Sequence, residues 1–131
     1  MVIPIGCGGG TSQTEDVVVW RDGKPVAIAD QGPPPSKLIV KDVEVGSGRT
    51  LTDGRTATLR YRNFDYHSGQ RYEDWWDQPF VTGFGKGESL GAWETGLKGM
   101  RVGGRRELIV PAKEAYGRVP QIYVLELIAV R

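Results

Sequence analysis

The sequence predicts an α+β domain over residues 37–131, in which a curved antiparallel sheet wraps around one short helix. Short apolar segments separated by glycine- and serine-rich turns are typical of strands. One segment instead repeats its apolar residues at helical spacing. The chain has 131 residues, of which 39% are hydrophobic, so it holds enough apolar material for one modest core.

The predicted strands differ in how clearly the sequence marks them. Residues 56–64 alternate most clearly, with Ala57, Leu59 and Tyr61 on one face. A Ser-Gly turn after this strand leads the chain into residues 70–73. The strands are predicted at residues 38–45, 56–64, 79–82, 105–110 and 122–130.

The predicted helix lies between residues 89 and 100. Trp93, Leu97 and Met100 occur at positions i, i+4 and i+7, which places them on one helical face. Gly99 is a residue type that commonly ends a helix. Because so short a helix does not persist alone, we expect the sheet to hold it by packing against that face.

Residues 1–36 differ in composition from the rest and predict a flexible tether with a stiff proline-rich end. Two apolar runs within it, residues 17–20 and 26–28, flank an Asp-Gly turn. This arrangement predicts a hairpin or an added edge strand before the main domain.

Composition and charge exclude several classes of function. The net charge is +1, from 17 basic and 16 acidic residues, so a general affinity for nucleic acid is not expected. With one cysteine, Cys7, and one histidine, His67, the chain forms neither an internal disulfide nor a Cys/His zinc cluster. No run of 18 apolar residues predicts a membrane-spanning helix. We expect neither a metal nor a cofactor.

Aromatic residues from separate segments are the most notable functional feature. Considered singly, each ring is more simply explained as core packing. If the rings converge on one concave face, they form an apolar pocket with Trp93 as its floor. The residues alone leave both interpretations open. The set is Tyr61, Tyr72, Phe80, Trp93, Tyr116 and Tyr123.

One longer motif decides between them. Residues 93–106, followed by Ala-Tyr-Gly at 115–117, carry the most specific pattern in the chain. Together with weaker matches elsewhere, this pattern resembles the FKBP-type peptidyl-prolyl isomerases. The weaker matches lie at residues 45–48, 59–61, 69–73, 78–80, 85–88, 109–111 and 122–130.

The resemblance implies an FKBP-like fold and catalysis of X-Pro bond rotation in unfolded or flexible proline-containing polypeptides, which assists their folding. This reaction breaks no covalent bond, so it needs no nucleophile. The resemblance places Trp93 beneath the proline ring, Glu73 near the twisting amide, and the Leu90 backbone N–H on a substrate carbonyl. It implies catalytic roles for Tyr72, Glu73, Trp93 and Tyr116. It implies substrate binding by Tyr61, Phe80, Ser89, Leu90 and Tyr123.

The sequence departs from the family pattern at several of these positions. Only residues 118–121 separate the Ala-Tyr-Gly motif from the last predicted strand, where most members have a long loop over the pocket. Tyr72, Glu73 and Tyr123 replace the usual Phe, Asp and Phe. We therefore expect an open pocket. A non-catalytic peptide-binding module or chaperone of the same fold is the alternative function.

Two adjacent tryptophans, Trp75 and Trp76, are also atypical. They are expected either to rebuild the lost pocket wall or to cap the edge of the core, and the sequence does not choose between these roles. A third hypothesis assigns both rings to glycan binding.

The glycine-rich segment around Cys7, followed by a polar stretch, is similar to the mature start of bacterial lipoproteins. The six residues before Cys7 lack the basic and apolar regions of a signal peptide. We expect a monomer in the bacterial cell envelope or secreted, with a membrane tether through Cys7. The alternative is a cytoplasmic protein with a free thiol.

Overall fold

The computed structural model describes residues 17–29, 32–85, 87, 91–115 and 118–131. Among these residues, the one α-helix, α1, spans Gly91–Gly96, and a short 3-10 helix, Ala112–Glu114, lies between the last two strands. The strands are β1 Val18–Arg21, β2 Lys24–Ala27, β3 Ile39–Glu44, β4 Thr56–Asp65, β5 Arg71–Gly83, β6 Arg105–Val110 and β7 Gln121–Val130.

Five strands form one antiparallel sheet in the order β3-β6-β7-β4-β5. Helix α1 packs against one face of this sheet, called here the helix face, where the main core lies. A β-carbon on Gly96 would lie 2.7 Å from Leu108 Cδ2, so the glycine permits the close approach of helix and strand. This architecture confirms the predicted α+β class.

Arg106 joins the end of the helix to the sheet. Its Nη1 atom donates to the carbonyl oxygens of Gly96 and Lys98 at 2.9 and 3.0 Å, and its Nε atom donates to Asp42 at 2.6 Å. A cation at the carboxyl end of a helix satisfies carbonyls that have no partner within the helix. The six-residue helix is thus stabilised by tertiary contacts.

Two elements differ from the sequence prediction. Residues 71–73 and 79–82 belong to a single 13-residue strand, β5, rather than to separate segments. Register shifts against β4 between Leu59 and Tyr61, and between Asn63 and Phe64, interrupt the alternation that would have revealed its length. Helix α1 ends at Gly96, and the residues after it form a turn.

The predicted hairpin is present as β1 and β2, which pair antiparallel. Asp22 and Gly23 in its turn have φ values of 54° and 76°, the left-handed pair that suits a tight hairpin. The hairpin packs on the other face of the sheet, called here the hairpin face. Val17, Val18 and Pro25 are buried there.

The division of the chain after residue 36 stays a prediction. Residues 1–16, and therefore Cys7, lie outside the described residues. Residues 17–18 and several side chains of the sheet share a second buried core. This part of the predicted tether is accordingly integrated with the domain.

Arg62 connects the hairpin to the sheet. It is 7% exposed, and its Nη1 atom donates to the Pro25 carbonyl at 3.0 Å. Its Nη2 atom donates to Asp74 Oδ2, also at 3.0 Å. The hydrogen bond from Arg62 is the main cause that lowers the pKa of the Asp74 carboxyl below its ordinary value.

We expect Asp74→Asn to lower the free energy of unfolding by about 1–3 kcal/mol at neutral pH, because Arg62 would keep a buried charge with a weaker partner. A carboxyl with a lowered folded-state pKa stabilises the protein above its unfolded pKa of about 4, and loses this effect as pH falls through the folded value. Denaturant unfolding at several pH values should therefore show that the free energy of unfolding falls less steeply with decreasing pH in the variant.

Asp77→Asn, which removes an exposed ion pair with Lys24, is the control and should lower the free energy of unfolding by less than about 1 kcal/mol. Equal losses in the two variants would contradict the assignment.

Candidate active site

Four aromatic side chains from four different elements meet on the helix face. Trp93 of α1 is central: its ring centroid lies 4.9 Å from that of Tyr61, 5.8 Å from Phe80 and 5.7 Å from Tyr123. The three rings stand at 84°, 90° and 87° to the indole, an edge-to-face arrangement that aromatic pairs favour. We call these four residues the ring cluster.

The strand register brings these rings together. Tyr61 on β4 is flanked by β5 and β7, and Phe80 pairs with Leu59, two residues before Tyr61. Tyr123 pairs with Asn63, two residues after Tyr61. Since side chains two residues apart share a face of a strand, all three rings point to the helix that carries Trp93.

The ring cluster is continuous with the main core. Tyr61, Trp93 and Tyr123 are each 3–4% exposed. Phe80 is half-buried, and Glu73 on the same strand is exposed. The accessible side of the cluster is therefore formed by β5.

Glu73 contributes a polar group at this side. The Tyr61 hydroxyl donates to Glu73 Oε1 at 3.2 Å. Burial is the main cause that raises the pKa of Tyr61 well above its ordinary value, and the neighbouring carboxylate raises it further. The phenol therefore remains protonated at neutral pH and fixes the orientation of the carboxylate beside the rings.

The indole N–H of Trp93 is buried and has no hydrogen-bond partner within the described part of the chain. A buried donor without an acceptor costs about 1–3 kcal/mol, and a role in a functional site is one explanation for such a group in a native structure. A carbonyl oxygen from a bound molecule is a chemically suitable acceptor for it.

The structure does not bring Tyr72 into the ring cluster. Tyr72 is 47% exposed, and its hydroxyl donates to Asp65 Oδ1 at 2.8 Å. Glu73 pairs with Asn63 and Arg71 with Phe64, so Tyr72 falls at a bulge and has no partner residue on β4. The bulge places the ring beside Asp65, away from Trp93.

Three other predicted site residues, Ser89, Leu90 and Tyr116, lie outside the described residues. Their proposed roles stay predictions. The connection that follows Tyr116 is short, because β7 begins at Gln121 and only residues 118–120 separate it from Gly117. The Pro120 carbonyl accepts a hydrogen bond from the Tyr66 N–H at 3.0 Å, which ties this connection to the end of β4.

The two adjacent tryptophans of β5 point to opposite faces. Trp75 is half-buried and packs against Phe80 with ring centroids 5.2 Å apart, next to the ring cluster. Trp76 is 3% exposed and packs against Trp20 of the hairpin at 5.6 Å. One tryptophan therefore extends the ring cluster and the other fills the hairpin face. Of the two rings assigned to glycan binding, Trp75 is therefore the accessible one, and that hypothesis stays a prediction.

Two features that the described residues lack bear on other functions. Among residues 17–29, 32–85, 87, 91–115 and 118–131, no group of three or more His, Cys, Asp or Glu side chains is placed to hold a metal ion. Within the same ranges, no helix is both long and apolar enough to span a bilayer.

The comparison with known families agrees with this geometry. The model of the FKBP-type peptidyl-prolyl cis-trans isomerase family matches residues 47–122, a range that contains three of the four residues of the ring cluster and ends just before Tyr123. The chain belongs to this family. The shortening of the connection before β7, relative to other members, stays a prediction.

Individual relatives of this FKBP-type chain support the assignment. The FK506-binding protein of Streptomyces anulatus is 36% identical over 96 residues, which cover 72% of this chain and 77% of the relative. The FKBP12 of Mycobacterium tuberculosis has a solved structure that matches with a TM-score of 0.59 and 29% identity, over 77% of this chain and 90% of that one. FkpA from Escherichia coli shares the fold, with a TM-score of 0.65 and 20% identity, over 90% of this chain and 53% of its own.

Proposed function

We propose that this FKBP-type protein is a peptidyl-prolyl cis-trans isomerase that accelerates X-Pro bond rotation in unfolded or flexible chains and so assists their folding. The observation that carries the proposal is the ring cluster, in which Trp93 is surrounded by three perpendicular rings in a chain that belongs to this family. An apolar aromatic site of this kind suits the proline side chain, which is itself apolar and rigid.

The chemistry needs no reactive group. The barrier to peptide-bond rotation is ~20 kcal/mol, and uncatalysed prolyl exchange takes roughly 10–100 s. A planar amide is resonance-stabilised, polar and well solvated, whereas the twisted transition state has lost resonance and is less polar. An apolar site therefore stabilises the twisted form relative to the planar one, which is differential binding of the transition state.

In this proposal, Trp93 lies beneath the proline ring, with Tyr61, Phe80 and Tyr123 around it. Glu73, oriented by the Tyr61 hydroxyl, faces the twisting amide. The remaining roles rest on the resemblance. They are substrate binding by Ser89 and by the Leu90 backbone N–H, and a hydrogen bond to the ligand from the Tyr116 hydroxyl.

Exchange spectroscopy by NMR on a short Phe-Pro peptide tests the proposal without a coupling protease. We expect the cis-trans exchange rate to rise linearly with protein concentration. Phe80→Ala should lower the catalysed rate about 10-fold, because this half-buried ring contributes about 1.5 kcal/mol of apolar contact to the site. Val81→Ala is the matched control, since Val81 is the next residue on β5 and is 53% exposed. A wild-type protein that leaves the exchange rate at its buffer value would overturn the proposal.

A second candidate function is a non-catalytic binding module or chaperone. The observation that favours it is the connection of residues 118–120, which leaves little chain to cover the rings. Such a protein would suppress the aggregation of an unfolded client and leave prolyl exchange unchanged. Measuring both properties on one sample separates the two functions.

We further propose that the protein works as a monomer in the bacterial cell envelope or after secretion, attached to a membrane through lipidated Cys7. The glycine-rich segment around Cys7 and the polar stretch after it support this placement. The alternative location is the cytoplasm.

A further inference from the structure

Trp75 is placed to extend the candidate active site beyond the ring cluster. It pairs with Tyr61 across β4 and β5, and its indole packs against Phe80 at 5.2 Å with an interplanar angle of 66°. It lies two residues after Glu73 on the same strand, so both side chains leave the same face. The indole is half-buried, in contrast to the 3% exposure of Trp93.

The exposed part of Trp75 is adjacent to the accessible side of the ring cluster. Its aromatic contact among the described residues is Phe80, and the indole keeps an accessible part that a bound molecule can contact. A tryptophan that served only the core would be expected to bury both faces, as Trp76 does with Trp20 and Arg60 on the opposite side.

Contacts on the hairpin face stabilise β5, the strand that carries Trp75. Trp76 packs into the hairpin face, and the neighbouring Asp74 accepts a hydrogen bond from buried Arg62 at 3.0 Å. Preorganised side chains bind with a smaller loss of conformational freedom than mobile ones. Because these contacts fix the position of β5, Trp75 should lose little conformational freedom when it binds a substrate side chain.

We infer that Trp75 is a specificity-determining residue that contacts the side chain preceding the substrate proline and favours an aromatic residue there. The inference rests on the proposed function, in which Glu73 faces the twisting amide. The residue before proline supplies the carbonyl of that amide, and in this inference its side chain lies along β5 beside Trp75, whose side chain shares a face with that of Glu73. Aromatic pairs gain stabilisation beyond their buried area, which separates an aromatic side chain from an aliphatic one.

The test compares two peptides that differ only in phenylalanine or leucine before proline. NMR exchange gives kcat/KM for each, and calorimetric titration gives each Kd. We expect the Phe/Leu preference to fall about 2- to 10-fold in Trp75→Leu, which keeps an apolar side chain but removes the ring. Trp75→Phe should restore the preference, and Val81→Ala should leave it at the wild-type value.

Thermal unfolding followed by circular dichroism establishes that each variant is folded at the assay temperature. A Phe/Leu preference equal in wild type and Trp75→Leu would overturn the role of Trp75, even with catalysis intact. Wild type that does not accelerate exchange would overturn the proposed isomerase function instead. In that case the Kd values of the same peptides still decide whether Trp75 selects an aromatic residue.

Discussion

Replacing Trp93 with alanine is expected to have the largest effect on activity of any single change in the ring cluster. Trp93 contacts all three other rings, so its loss removes the common surface on which a proline would rest. Loss of roughly 1.5–3 kcal/mol of apolar contact corresponds to a 10- to 100-fold lower kcat/KM in prolyl exchange. Because the side chain is 3% exposed, the same change should lower the free energy of unfolding by about 3–5 kcal/mol.

The control must separate loss of the site from loss of the fold. Leu97→Ala removes a side chain that is 1% exposed in the same core and should cost about 2–5 kcal/mol, yet Leu97 lies outside the ring cluster. We expect its activity per folded molecule to equal that of wild type, with folded fractions taken from denaturant unfolding. Trp93→Phe, which keeps a ring, should recover part of the activity. Trp93→Ala with wild-type activity per folded molecule would contradict the assigned role of Trp93.

The ring cluster shows which features local sequence patterns predict and which depend on the tertiary structure. Alternation in β4 correctly places Ala57, Leu59 and Tyr61 on one buried face. Helical spacing correctly puts Trp93 against the sheet. The contacts of Tyr61 and Trp93 with Phe80 and Tyr123 depend on strand order and register, which local sequence patterns do not reveal. From the residues alone, core packing was the simpler explanation for each single ring, and the family motif supplied the expectation that the rings converge.

The middle of β5 is where the sequence was least informative. A bulge leaves Tyr72 without a partner residue on β4, so its predicted place among the rings is not what the structure shows. The pair Trp75 and Trp76 had two alternative roles, and each residue takes one of them. Strand alternation gives this outcome at once, but only when the segment is known to be a strand.

The hairpin of β1 and β2 was also predictable in its existence but not in its position. Its Asp-Gly turn and flanking apolar runs predicted its existence. They did not predict where it docks, because the docking surface is assembled from side chains of several strands. Trp20 contacts Trp76 of β5 and lies beneath Arg105 of β6, whose guanidinium carbon is 4.6 Å from the ring centroid. A hairpin held in this way is a structural part of the domain.

Trp76→Ala is accordingly expected to destabilise the protein by about 3–5 kcal/mol, close to the effect of Trp93→Ala. The Trp76 ring is 3% exposed, packs against Trp20 and lies 5.5 Å from the Arg60 guanidinium carbon. Urea unfolding measures the loss, and amide hydrogen exchange should show reduced protection in β1 and β2.

A double-mutant cycle with Trp20→Ala tests whether the two tryptophans act as one unit. Residues in direct contact couple by about 0.5–3 kcal/mol, so the double variant should lose less stability than the sum of the single variants. Trp20→Ala combined with Val81→Ala is the control, because Val81 is 53% exposed on β5 and the two losses should add. Additive losses for Trp20 and Trp76 would mean that the hairpin and β5 are stabilised independently. Coupled losses would instead make the hairpin a support for β5, the strand that carries Glu73, Trp75 and Phe80.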